Sequence, residues 1–355
     1  MGALAIGLVV PCRDEALVIE RRLANLVRVS HAGGALRRVV VVDDHSSDGT
    51  AACAQAFARR EAAACAAAGV AIDVLANALA PGKCNAIRTG LAHLEAHAVA
   101  LVGISDADVV CAEGALERIA AAFERDPQLG LACGEQLFVA SLANDGSLRS
   151  SDGGELVPAG GRYDRLTALV RRFESRRGRL FSVHGQLLVW RTSDALAPRV
   201  GVAADDIDLM YEARARGRRV ELVRGARFVE VKVPTGPDRD AQALRRARAY
   251  FDALRPAGTL ARDAFTRVQE FCYLVLPRAA PWALPLAFGL AAVGGAWAAA
   301  SVAGPGAAVV PPLLALGLAV SPPGRSLLAL LAVVRRAARE SRRAPSTDRW
   351  EMARR

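Results

Sequence analysis

The chain opens with an apolar run, Leu4 to Val10, that stops at Pro11 and turns polar at Arg13-Asp14-Glu15. The pattern recurs. Val39 to Val42 stops at Asp43-Asp44, Val70 to Leu75 stops at a turn, and Val99 to Ile104 stops at Ser105-Asp106-Ala107-Asp108. Short apolar runs without alternation predict strands buried on both faces. Helical periodicity falls between them, with Leu23, Leu26 and Val27 inward in the first segment. Further helices are expected from about Thr50, near Asn85 to Ala96 and near Glu113 to Phe123. Strand–helix alternation predicts an α/β fold, a parallel sheet with helices on both faces. Ligands bind such sheets at the carboxyl ends of the strands. Asp14, Asp43, Asp44, Asp106 and Asp108 all fall there.

Residues 141–162, SLANDGSLRSSDGGELVPAGGR, break the alternation and predict a flexible loop or lid. A basic helix, a strand from Phe181 to Trp190, a helix near Asp206 to Arg216 and strands near Val220 and Phe228 follow. The character then changes. From Ala279 to Gly324 no residue is charged. A membrane helix needs about 20 apolar residues. Two spans fit, about 282–303 and 308–332, parted by Gly304-Pro305-Gly306; Pro322, Pro323 and Arg325 interrupt the second. The bland alternative is a buried hairpin in a soluble core. The expected division is a catalytic domain over 1–255, an interfacial amphipathic segment over 256–278, about two transmembrane helices over 279–334 and a basic tail over 335–355. Arg335, Arg336, Arg339, Arg342 and Arg343 put that tail in the cytoplasm by the positive-inside rule. With two spans, the catalytic domain faces the cytoplasm too.

Composition adds less. The net charge of +10, carried mostly by arginine, suits an anionic partner such as a nucleotide diphosphate or a membrane face. Nucleic acid is a poor fit, because aromatics are only 5% and no basic stripe interleaves with stacking rings. Seven cysteines without CxxC spacing argue against zinc and for reduced, buried thiols. The segment MGALAIGLVVPCRDEA lacks a basic leader and reads as a first strand, not a signal peptide. Ile6 occupies the position where N-myristoylation needs Ser or Thr.

The acids carry the chemistry. Adjacent carboxylates at Asp43-Asp44 repel and resist desolvation, so something must stabilise them. Asp48 and Thr50 suit a helix cap and Gly49 a turn, which leaves the pair unexplained. Pro81-Gly82-Lys83-Cys84-Asn85-Ala86 is a glycine-lysine turn without P-loop spacing, whose lysine could neutralise phosphate. Asp106 and Asp108 can direct oxygens at one hard cation, Mg²⁺ or Mn²⁺, that keeps positions open for diphosphate. Ala204-Asp205-Asp206-Ile207-Asp208 opens a helix with three acids, of which capping explains one.

The order of these motifs resembles family 2 glycosyltransferases of the GT-A fold. That family shows a P-x-x-N-E start, DD-x-S-x-D-x-T, G-K-x-x-A, D-x-D, a T-E-D type motif and Q-x-x-R-W. The counterparts here are Pro11 to Glu15, Asp43 to Thr50, Gly82 to Ala86, Asp106 to Asp108, Asp205-Asp206 and Gln242 to Arg246, all within residues 4–250. The resemblance implies a GT-A nucleotide-sugar-binding mixed sheet, followed by the apolar hairpin. It implies that Pro11, Asp14, Glu15, Asp44, Lys83 and Asp106 bind the nucleotide sugar. Asp106 and Asp108 would hold the metal, Asp108 more directly. Asp206, with Asp205 beside it, would be the base that deprotonates the acceptor. Gln242, Arg245, Arg246 and His184 would lie on the diphosphate or acceptor side. The implied donor is a nucleotide-diphosphate sugar, UDP-linked by preference. The implied acceptor is a membrane lipid or lipid-linked hydroxyl, and transfer inverts the anomeric centre.

Three departures stand out: Asp205 replaces the glutamate of T-E-D, Arg246 replaces the tryptophan of Q-x-x-R-W, and Arg88 stands where asparagine is common. The missing tryptophan and the small number of spans weigh against a processive polysaccharide synthase subunit, the alternative enzyme. A non-catalytic nucleotide-sugar-binding membrane adaptor is the alternative outside enzymes. Loops near His184-Gly185-Gln186 are where donor selectivity is expected.

Overall fold

The computed structural model describes residues 3–31, 34–232, 237–260 and 263–343. The chain divides into two units. The first runs β1 (Ile6–Cys12), α1 (Ala16–Val29), β2 (Leu36–Asp43), α2 (Thr50–Arg60), α3 (Ala62–Ala68), β3 (Ala71–Ala76), α4 (Lys83–Glu95), β4 (Leu101–Ile104), β5 (Val110–Cys111) and α5 (Ala115–Arg125). It continues with β6 (Leu129–Val139), α6 (Arg162–Ser175), β7 (Leu188–Arg191), α7 (Asp205–Ala215) and β8 (Arg219–Val231).

These strands form one sheet in the order β3-β2-β1-β4-β7-β6-β8-β5. β1 pairs in parallel with β2 and β4, and β2 with β3. Past β4 the parallel run that the apolar segments predict gives way to the mixed sheet that the resemblance implied. There β7 runs antiparallel to both β4 and β6. The strand expected from Phe181 starts only at Leu188, and the two strands near Val220 and Phe228 are one. β6 was not foreseen. The chain leaves β1 toward β2 on one side and returns at β4 on the other, so the strand order reverses between β1 and β4, the place where such folds bind ligands.

The core is the apolar strand runs plus the inward stripes of α1 and α5. α1 shows how the stripe is built: Val18, Ile19, Leu23, Leu26 and Val29 are buried on one face. Two polar residues, Arg22 and Asn25, share that face. The Gly/Ser-rich segment expected as a lid is laced to α1. Asn25 Nδ2 donates to Gly146 O at 3.1 Å, and Gly146 (φ 76°) comes so close that a Cβ would lie 2.4 Å from the Asn25 nitrogen.

The second unit holds α8 (Pro237–Ala253), α9 (Ala264–Glu270), α10 (Leu276–Ala303), α11 (Val310–Val320) and α12 (Pro322–Arg343). α9 runs through a π-turn into α10, giving one helix over Ala264–Ala303 long and apolar enough to cross a membrane. Val310–Val320 and Gly324–Arg342 pass the same criterion only as a pair bent by 71°. α8 packs on α12, where Arg248 meets Glu340 at 3.3 Å. Among the cysteines, Cys272 is exposed, contrary to the expectation of buried thiols, because it lies on this apolar helix.

Candidate active site

The carboxyl ends of β1, β2 and β4 deliver three loops to one place. The β1 loop starts at Pro11, which pairs with Val42 but lies past the last β4 partner of β1, so its missing N–H costs no ladder bond. Asp14 follows in the left-handed region (φ 54°). Its Oδ1 accepts from Ser47 N at 2.6 Å, and its own N–H donates to Ser46 Oγ at 2.9 Å. Glu15 N donates to Thr50 Oγ1 at 2.8 Å, and Ala16 N to Asp48 Oδ2 at 2.9 Å. The two loops are thus stitched together by Ser46 to Thr50. His45 (φ 59°) is also left-handed, so two of the non-glycine residues in that strained region flank the site.

The paired acids are resolved unequally. Asp44 is fully buried, with Oδ1 accepting from Asn77 Nδ2 at 2.6 Å and Oδ2 from Gly82 N at 2.8 Å. Arg13 lies 3.9 Å away. The protein itself therefore occupies both oxygens of Asp44. Asp43 accepts from Ser46 N at 3.3 Å through one oxygen, while its buried Oδ1 has no partner. Sequence reasoning favoured Asp44 as the acid facing a ligand; the open acceptor is on Asp43.

Gly82 (φ 150°) turns the chain into α4 and sets Lys83 at its first position. Lys83 Nζ lies 2.9 Å from Asp106 Oδ1 and 3.6 Å from Asp205 Oδ1. Burial works against its charge, but Asp106, Asp205 and Asp206 outweigh that and hold the ammonium well above the ordinary lysine range. Asp205, at the start of α7, is 5% exposed and its Oδ2 has no partner. Burial raises its pKa, Lys83 pulls it back and Asp106 raises it. Asp206 is pushed up to about 6, first by burial and then by Asp205. Its Oδ1 accepts from Ile207 N at 2.8 Å. Gly185 lies over it: a Cβ there would be 3.3 Å from Asp206 Cβ. The third acid of the run, Asp208, does something else. It is fully buried and holds Arg199 at 2.7 Å.

The Asp106-Ala107-Asp108 loop is set by a residue that the sequence did not single out. Arg22, fully buried, donates from Nη2 to Ser105 Oγ at 2.6 Å and from Nη1 to Val109 O at 3.4 Å. Ser105 Oγ passes its own hydrogen to Gln186 O at 2.5 Å. Asn25 grips the far end of the loop, accepting from Cys111 N and donating to Cys111 O. The available signal was two polar residues on the core-facing side of an amphipathic helix.

His184 is buried and edge-on to Phe228 at 5.7 Å. Arg245 and Arg246 lie on α8 in the second unit, as does the backbone of Gln242. Of the others, Pro11 lies near the end of β1, and Asp14, Glu15 and Asp44 lie on the loops after β1 and β2. Asp44 is bonded to the turn that carries Lys83, Lys83 gathers Asp106 and Asp205, and Asp108 lies two residues past Asp106 in the same loop. Even the Cys12 thiol records this: burial pushes its pKa well up, and Glu15, Asp43 and Asp106 add to the rise.

Residues 4–251 match the profile of the family described as Glycosyltransferase like family 2. The chain belongs to that family. It is a glycosyltransferase, and its fold is the GT-A-like mixed sheet that the motifs implied. Among solved structures it is similar to a mannosyltransferase from Pyrobaculum calidifontis, determined in complex with GDP-Man and Mn²⁺. The likeness has a TM-score of 0.67 at 23% identity, over 96% of this chain and 87% of that one. No curated protein matches the transferase. In the glycosyltransferase, three carboxylates around one ammonium, Asp106, Asp205 and Asp206, leave an excess of hard oxygen donors, and the orphaned Asp205 Oδ2 is one of them. That donor set suits a divalent cation of the Mg²⁺ or Mn²⁺ kind.

Proposed function

We propose that this glycosyltransferase moves one sugar from a nucleotide-diphosphate sugar to a hydroxyl of a membrane-associated acceptor, with inversion. The observation that carries the reading is the junction of Lys83, Asp106, Asp205 and Asp206 at the carboxyl ends of the strands.

The roles follow from chemistry. Asp206 takes the proton of the acceptor hydroxyl, and a pKa pushed up to about 6 suits a base working near neutrality. The freed oxygen forms a bond to the anomeric carbon as the bond to the diphosphate oxygen breaks, and the nucleoside diphosphate departs with the electron pair. Lys83 offsets charge beside the diphosphate and keeps Asp106 and Asp205 from repelling each other. Asp106 and Asp108 would hold the divalent cation, which when bound supplies charge neutralisation to the leaving diphosphate. Asp14, Asp43 and Asp44 shape the nucleoside end, with the free acceptor of Asp43 as the direct contact.

Membrane association rests on the apolar helix Ala264–Ala303 and on the arginines beyond the second apolar stretch, which favour a cytoplasmic catalytic unit. The domain division at about residue 255, with an interfacial segment before the spans, belongs to the same reading. UDP-sugars and GDP-sugars are the two donor classes to separate; the related mannosyltransferase complex supports including the second. Full-length protein in detergent, given a panel of nucleotide sugars, membrane lipid extract and Mn²⁺ or Mg²⁺, should release nucleoside diphosphate from one donor class and stop on adding EDTA. Release from no donor, or undiminished release in EDTA, contradicts the reading.

A further inference from the structure

α6 is built inside out. Its inner face is polar and tied to the first unit. Asp164 meets Lys232 at 2.6 Å, Arg171 Nε donates to Ser182 O at 3.2 Å, and buried Glu174 accepts from Phe181 N at 3.1 Å. Ser175 Oγ accepts from Leu222 N at 2.8 Å. Its outer face carries Leu166 (61% exposed), Leu169 (60%), Val170 (41%) and Phe173 (49%). The spacing i, i+3, i+4, i+7 puts them in one stripe, which a helix of a globular domain ordinarily turns to the core. Here the polar stripe is inside and the apolar one outside.

The charges sort by face as well. Of the two acids of the helix, Glu174 is buried, and Asp164 is taken up by Lys232 and by the Gly161 N–H at the helix start. Arg165 and the adjoining Arg176 and Arg177 are exposed, Arg172 is exposed but paired with Glu135 at 2.8 Å, and the Arg177 guanidinium lies 3.9 Å over the Phe173 ring. An apolar ridge bordered by arginines, with the acids of the helix buried or paired, is the pattern of a helix lying in an anionic lipid interface. A protein partner fits less well. Four side chains on one helix fall short of the about 1,200 Å² that a stable interface buries. A second copy would bring arginines against arginines across a two-fold axis.

We propose that α6 is a membrane-docking helix, its Leu166-Leu169-Val170-Phe173 ridge seated among the acyl chains and its arginines on anionic headgroups. This rests on the membrane-acceptor reading and deepens it. The segment that α6 grips at Phe181 and Ser182 leads within three residues to Gly185, which packs on Asp206. Docking this helix therefore fixes the base relative to the bilayer surface from which a lipid-borne hydroxyl must come. A chain already tethered by an apolar helix needs only a weak contact for this.

The test uses full-length protein in nanodiscs of phosphatidylcholine with or without phosphatidylglycerol. Leu169→Cys, in a background of Cys53→Ser and Cys272→Ser, is labelled with the polarity-sensitive dye NBD. The proposal expects blue-shifted emission that doxyl-labelled lipid quenches, stronger with phosphatidylglycerol and weakened by Arg165→Glu with Arg176→Glu. Water-like, unquenched emission in both lipids overturns it. So does shielding that persists in detergent and fades on dilution, which marks contact between copies. Nucleoside diphosphate release by the unlabelled parent, measured separately, reports on sugar transfer. Quenching without release would sink the catalytic reading alone, and release without quenching would sink only the docking.

Discussion

Lys83 Nζ stands 2.9 Å from Asp106 Oδ1, so the first residue of α4 is bonded to the first acid of the loop after β4. That one contact joins the glycine-lysine turn to the D-x-D segment, and a further 3.6 Å takes it to Asp205 on α7. The site is assembled by a cation shared among acids from distant parts of the chain.

Removing that cation should therefore cost stability as well as activity. Lys83→Met leaves Asp106 and Asp205 facing each other without a counter-charge, a loss of about 1–3 kcal/mol at pH 7.5 after allowing for partial solvent access. The penalty should shrink toward pH 5 as the raised carboxyls take up protons. Thermal melts of both proteins at the two pH values check this; an equal penalty at both would argue against the shared-cation account.

Asp206 gives a pH prediction of definite sign. Its folded-state pKa is about 6 against an ordinary 3.8, so between those values the folded protein binds more protons than the unfolded chain. This group therefore lowers stability as pH rises through that window, and the cost is complete above it. Asp206→Asn should be more stable than the parent by about 1–2 kcal/mol at pH 7.5 and no more stable near pH 4. Turnover of the parent moves the other way, rising as pH climbs through about 6 because the base must be unprotonated. Denaturant melts and a pH–rate profile measure the two sides.

Much of this was legible in the chain. The apolar runs placed β1 to β4, and the acids after them placed the loops that gather at the carboxyl ends of those strands, since ending a buried strand on carboxylates is costly unless partners there hold them. Asp205 and Asp206 were visible because three acids exceed what one helix start requires. Other features were not. β6 and the antiparallel β7 depend on pairing partners remote in sequence, which local pattern does not encode. The unequal fates of Asp43 and Asp44 depend on Asn77 and Gly82, which the fold brings from the next strand's turn.

Arg22 belongs to the hidden part and is expected to position the D-x-D loop. Arg22→Met should cost about 2–4 kcal/mol, because Ser105 Oγ and the loop carbonyls lose a buried donor. Arg22→Lys keeps the charge but lacks the fork, so its stability should fall between the two. Donor affinity, read by titration with nucleotide sugar and Mn²⁺, should drop in both variants. Unchanged affinity in a folded Arg22→Lys protein would remove the positioning role.

Gly185 tests the geometry around the base without touching charge. The added methyl of Gly185→Ala meets Asp206 Cβ at 3.3 Å, so the base must shift by a few tenths of an ångström. A displaced base should lower kcat by about 10-fold or more while the melting temperature moves little. A variant with unaltered kcat would show that this close approach is incidental.

Asp206 as the base of an inverting sugar transfer stands or falls on its amide variant. Full-length parent and Asp206→Asn, in the same detergent with the donor that the parent turns over, are compared for nucleoside diphosphate release and for donor binding. The account predicts release reduced by about 10³-fold or more with donor affinity within a few-fold of the parent. Release at the parental rate from the folded amide variant would contradict it.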